Sequence, residues 1–118
     1  SHVENGEGYV LTARVIDWFA TCYLTGTGIE PADPTVSPAS ASPARMSRTA
    51  RAAIITAGFD PLRDEGRAYA ESLREAGVRV DHREWDGQIH PFLNLGTLIP
   101  EAGEAIEWLA ERAREAFA

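Results

Sequence analysis

Apolar positions change their period several times along the chain. Over residues 7–24, Tyr9, Ala13, Ile16, Ala20 and Tyr23 recur at helical spacing. Val10, Leu11, Val15, Trp18, Phe19 and Cys22 add apolar surface around most of the cylinder. The pattern predicts a helix that needs cover from more than one direction, and the rest of the chain offers little. Gly26 and Gly28 end it. Residues 25–50 carry no period and hold four of the seven prolines. Ala52 to Ala57 is a short apolar run, partly β-branched, and predicts a strand buried on both faces, as in a parallel sheet. Gly58 lets the chain leave that sheet. A helix is predicted over 61–76, with Asp60 as N-cap and Pro61 in the first helical position. Leu62, Tyr69 and Leu73 form its buried stripe, Asp64 and Glu65 favour its dipole, and Gly77 is the left-handed stop.

Residues 78–85 alternate. Val78, Val80, His82 and Glu84 point one way, and Arg79, Asp81, Arg83 and Trp85 the other. So many charges suggest a strand at or near a sheet edge, with His82 exposed. The last helix is predicted over 100–116. Ile106, Leu109, Ala110, Ala113 and Phe117 make its core-facing stripe, and Trp108 lies beside it.

The fold class that follows is α/β, with two parallel strands and flanking helices. Two strands make a marginal sheet. Ile54 and Ile55 face opposite sides, and both need cover. Further strands are therefore expected from another polypeptide, a symmetry mate or a rearrangement. The 25–50 stretch reads either as a linker between modules or as a surface crossover pinned by Asp33-Pro34 and Ser37-Pro38 turns.

A length of 118 residues suits one modest domain. A formal net charge of −7 and the absence of a basic cluster argue against a nucleic-acid surface. No apolar run reaches the length of a membrane span. The single Cys22 excludes an internal disulfide, and its apolar surroundings predict a buried structural thiol.

Two residues carry candidate chemistry. Asp60 ends a strand on its carboxyl side, where open α/β sheets place their sites. By itself, an Asp before a Pro at a helix start is more often just a cap. Asp86-Gly87-Gln88-Ile89-His90 follows one helix and one strand later. That order brings Asp60 and His90 to the same end of adjacent parallel strands. It is also the order of the last two members of a Ser…Asp…His triad in α/β-hydrolases.

The run Ala57-Gly58-Phe59-Asp60-Pro61-Leu62-Arg63-Asp64-Glu65-Gly66, followed by Tyr69-Ala70-Glu71-Ser72-Leu73-Arg74-Glu75-Ala76-Gly77-Val78, resembles the hormone-sensitive-lipase branch of the α/β-hydrolases, the bacterial family IV esterases. Asp86-Gly87-Gln88-Ile89-His90 resembles that branch's catalytic histidine loop. Glu4-Asn5, Glu7-Gly8-Tyr9 and Leu11-Thr12 resemble its helix before the penultimate strand. Asp33-Pro34 with Ser37-Pro38 resembles its crossover loop. The resemblance implies the C-terminal portion of an α/β-hydrolase fold, incomplete as given. Asp60 would be the triad acid and His90 the triad base of a carboxylic-ester hydrolase. Two positions depart from the branch's pattern: Pro91 stands where Gly is usual, and Gln88 where a more apolar residue is common.

Neither a Gly-x-Ser-x-Gly elbow nor a His-Gly-Gly segment occurs in these residues. The resemblance places both upstream. The chain is therefore expected to be inactive alone and to need an upstream segment of the same enzyme, on the same or a separate chain. A small-molecule ester is the expected substrate. A homodimer through the last strand, a cytoplasmic location, and no cofactor or metal are also expected. The alternative is a non-catalytic interaction module on the same scaffold, or an unrelated binding domain in which Asp60 is only a cap.

Overall fold

The computed structural model describes residues 1–118. The first 12 residues are turns and bends. They lead into α1 (Ala13–Leu24), which starts later than the 7–24 pattern predicts. Thr12 is the reason. Its backbone is extended and its hydroxyl oxygen accepts the Val15 N–H at 3.3 Å, closing the helix start there. Tyr9, released from the helix, packs on Phe59 instead, with ring centroids 5.3 Å apart. None of the α1 residues is buried. Trp18, Phe19 and Tyr23 are 61%, 55% and 70% exposed, and Cys22 is exposed rather than buried. An apolar helix thus forms, half-buried at Ala13, Val15, Ile16 and Leu24, but its Trp18, Phe19 and Tyr23 face has no cover from the chain.

Residues 25–50 are a crossover with local order of its own. A 3₁₀ turn covers Pro38–Ser40, and α2 (Pro43–Met46) presents the buried Met46 to the core. Asp33 pins the loop by accepting both the amide and the hydroxyl of Thr35, at 2.8 and 2.6 Å. These bonds hold its carboxyl below the usual range.

The sheet is β1 (Ala52–Phe59) beside β2 (Val80–Ile89), and the two run parallel. Both strands reach further than the 52–57 and 78–85 patterns predict. The ladder is regular from Ala52↔Val80 to Ala57↔Trp85, then shifts so that Phe59 meets Ile89. At this bulge Gly58 stays in the strand. It does not release the chain; it makes room. A Cβ there would stand 2.0 Å from the Asp86 carbonyl oxygen.

Between the strands runs α3 (Arg63–Glu75). Its end is a Schellman motif: Gly77 at φ +85°, with Gly77 N–H to Arg74 O at 2.9 Å and Val78 N–H to Leu73 O at 2.9 Å. Val78 closes the motif by packing on Leu73. That is why the strand begins at Val80 and not at Val78.

Helices cover the two faces of the sheet. On one side α3 and Met46 enclose Leu73, Val78, Ile54 and Val80. On the other, α4 (Pro100–Phe117) packs Ala102 and Ala105 against Ala57, Trp85 and Phe92. Trp108 joins them edge-on to Trp85, with centroids 6.2 Å apart. The predicted stripe of α4 is therefore rotated. Ile106 and Phe117 are exposed, because two alanines let the helix come closer to the sheet than a branched side chain would. No helix is long and apolar enough to cross a membrane.

Candidate active site

Asp60 follows the last residue of β1, and His90 the last residue of β2. Because the strands are parallel and adjacent, both side chains emerge at one end of the sheet. His90 Nδ1 and Asp60 Oδ2 are 2.9 Å apart. The Asp60 side chain is 12% exposed and that of His90 38%.

The second Asp60 oxygen is also engaged. Oδ1 accepts the Leu62 N–H at 2.8 Å, and the Asp60 carbonyl accepts the Arg63 N–H at 3.1 Å. Pro61 and Leu62 form a turn, so α3 begins at Arg63 and not at Pro61. Asp60 therefore caps a turn of the Asx type instead of the helix itself. This bond leaves Oδ2 for His90. A carboxylate only accepts, so the imidazole presents Nδ1–H to it and keeps the Nε2 lone pair. The tautomer follows from the partner.

His90 is joined to Pro91 by a cis peptide, and a 3₁₀ turn over Phe92–Leu95 follows. Phe92 is buried against Trp85, with ring centroids 6.0 Å apart, and anchors this loop to the core. A cleft of about 840 Å³ opens beside the pair. Ile16 and Ala20 of α1, Leu62 of the turn before α3, Tyr69 of α3, and Phe92 give it mostly apolar walls.

His82 is not in this site. It is half-buried, not exposed, on the face of the sheet under α3. Its Nε2 lies 2.9 Å from Thr56 Oγ1, which donates to Glu84 Oε2 at 2.9 Å. Arg67 clamps Glu84 through two nitrogens. Arg67 thereby holds the Glu84 carboxyl below its usual range. Burial, and then the Arg74 charge, push the His82 imidazole down. No cluster of His, Cys, Asp or Glu has the makings of a metal site.

One residue at this end of the sheet, Asn5, belongs to a run that resembles the family, but that resemblance gives no sign of its partners. Asn5 is 3% exposed, and its amide donates to the carbonyls of Gly58 and Asp60 at 3.2 and 3.4 Å. A single Asn in a polar stretch does not announce a partner more than fifty residues away.

Residues 1–94 match the family model described as alpha/beta hydrolase fold. Over 90 residues, 76% of this chain, the sequence is 52% identical to the carboxylic ester hydrolase LipN of Mycobacterium tuberculosis, covering 23% of that protein. It is 37% identical over 110 residues to the ethyl acetate hydrolase of Pseudomonas putida, covering 93% of this chain and 34% of that protein. The hyperthermophilic esterase of the archaeon Pyrobaculum calidifontis superposes with a TM-score of 0.82 at 35% identity, over 93% of this chain and 35% of its own. The chain spans about a quarter to a third of the length of these curated relatives. With a model matched over most of its residues and esterases as its relatives, the chain belongs to the α/β-hydrolase family, in the branch of carboxylic ester hydrolases that its Asp-Pro-Leu-Arg-Asp-Glu-Gly run marks.

Proposed function

We propose that this chain supplies the acid and the base of a Ser-His-Asp carboxylesterase whose nucleophile and oxyanion donors lie on residues outside it. The observation that carries the reading is the 2.9 Å approach of His90 Nδ1 to Asp60 Oδ2, with Asp60 Oδ1 separately held by Leu62.

The chemistry follows from that geometry. His90 Nε2 takes the proton of a serine hydroxyl as its oxygen attacks the ester carbonyl. The imidazolium then gives the proton to the departing alcohol, leaving an acyl-enzyme. Water repeats the sequence and releases the acid. Asp60 holds the ring in one tautomer and stabilises the imidazolium in both halves. Its partly buried carboxylate, fixed by Leu62, needs no reorganisation when the ring charges. The apolar cleft suits the hydrocarbon portion of a small ester, and one relative is named for ethyl acetate.

The nucleophile-bearing segment is the natural cover for α1 and for the free edge of β1. β2 also has one unpaired edge, which suits a homodimer through this last strand.

The test is reconstitution. The chain alone is expected to give no turnover of a short-chain p-nitrophenyl ester above background. Mixed with a family segment carrying the serine elbow, it is expected to restore turnover that His90→Ala abolishes. Turnover by the chain alone that survives His90→Ala would overturn the assignment.

A further inference from the structure

Asp60 works only if the strand end that carries it holds its orientation, and β1 loses its regular ladder just before that point. Past Ala57 the pairing with β2 shifts register. Asn5 acts there. Its amide bridges two carbonyls two residues apart, Gly58 O and Asp60 O, which flank the last step into the triad position.

Asn5 is itself held in place. Its own N–H reaches back to Ser1 O at 2.7 Å, closing a tight turn. Gly6 follows, where an added Cβ would stand 2.4 Å from His2 O. The Gly6 carbonyl in turn accepts the Ala13 N–H at 2.9 Å, which ties the turn to the start of α1. A second link runs alongside. Arg63 donates to Gly58 O at 2.9 Å and pairs with Glu4 at 3.0 Å. The first residues of the chain thus form a strap across the turn that carries Asp60.

We infer that Asn5 is a positioning residue for the Asp60–His90 pair, fixing the strand end so that Asp60 Oδ2 meets His90 Nδ1. This rests on the acid–base reading of the pair. The two carbonyls keep other donors, Arg63 Nη1 on Gly58 O and Arg63 N–H on Asp60 O, so removing the amide leaves neither of them orphaned. What is lost is the tie between strap and strand end.

The readout is the His90 tautomer, which a general loss of stability does not move. In the full chain carrying ¹⁵N-labelled histidine, long-range ¹H–¹⁵N spectra at about pH 8 observe neutral rings. The wild type is expected to show a single His90 form protonated on Nδ1. In Asn5→Leu the expected result is loss of that single form, with a mixture of Nδ1–H and Nε2–H in its place. Asn5→Ser, which makes less demand on space, is expected to do the same. Leu73→Ala, a core truncation in α3, is expected to lower the thermal midpoint and leave the Nδ1–H form intact. An Nδ1–H form unchanged in folded Asn5→Leu or Asn5→Ser would overturn the role of Asn5. So would an equal change in Leu73→Ala, or loss of the fold in both Asn5 variants, since either makes the effect one of stability. Absence of the Nδ1–H form in the wild type would instead overturn the acid–base pair itself.

Discussion

Asp60 Oδ2 and His90 Nδ1 stand 2.9 Å apart across a separation of 30 residues. The same carboxylate takes the Leu62 N–H on its other oxygen. Turn cap and catalytic acid are usually alternative readings of an Asp before a Pro. Here one side chain meets the geometry of both, and the cap fixes the rotation that leaves the second oxygen for His90.

Asp60→Asn tests the acid. The amide has nearly the shape of the carboxylate but can donate, which favours the wrong imidazole tautomer. In the reconstituted enzyme kcat is expected to fall about 10⁴-fold, with a smaller effect on KM. His82→Ala, which alters a histidine on the same strand outside the site, is expected to leave turnover near the wild-type value. Steady-state kinetics of both variants in parallel checks the pair.

Gly66→Ala tests how closely α3 approaches β1. In an open helix the change gains about 1 kcal/mol of helix propensity. Here an added Cβ would stand 2.7 Å from Thr56 Cγ2. Thr56 does not yield easily, because its hydroxyl bonds both His82 and Glu84. Crowding of this kind costs about 1–3 kcal/mol, so a net loss of stability is expected. Thr56→Ser removes the clashing methyl and should recover part of the loss. A double-mutant cycle in urea, with a coupling energy clearly different from zero, is the measurement.

His82 is expected to give the chain a pH-dependent stability. Burial lowers the folded-state affinity of its ring for a proton, with the Arg74 and Arg67 charges adding to this and Glu84 opposing it. The unfolded state therefore binds more protons, and stability rises with pH. The contribution is complete above the ordinary histidine value of 6.5 and is lost as pH falls through the lower folded value. In His82→Gln the slope of the urea midpoint against pH should flatten below neutrality. A slope equal to that of the wild type would assign the dependence to other groups.

The uncovered face of α1 should matter to assembly and not to the chain's own fold. Trp18 and Phe19 lie against each other at 5.1 Å between centroids and are mostly exposed. Trp18→Lys with Phe19→Lys is expected to change unfolding of the chain by no more than about 0.5 kcal/mol. It should weaken recovery of esterase activity on mixing with the serine-bearing segment. Denaturation of the chain, and titration of activity against segment concentration, separate the two effects.

Local chemistry was enough to place much of this molecule. An apolar run ending in Phe-Asp-Pro-Leu marks a strand end with a polar group on it, wherever the rest of the chain lies. Gly77 after the Leu73 turn marks a helix stop, because the left-handed position needs no neighbour to justify it. The strand–Asp–helix–strand–His order brings Asp60 and His90 together, since a right-handed parallel unit has one carboxyl end. Faces and exposures behave differently. Periodicity says which residues share a face, but not which face has a neighbour. Hence Ile106 and Phe117 looked like core while Ala102 and Ala105 are the core. Hence also Cys22, in an apolar helix, is exposed for want of anything against it. Val78 reads as strand by its side chain and serves as the latch of a helix stop, because hydrogen bonds to α3 outcompete one more rung of ladder. The bond of Asn5 to the strand end depends on two segments more than fifty residues apart in the chain, and only their packing brings that amide to those carbonyls.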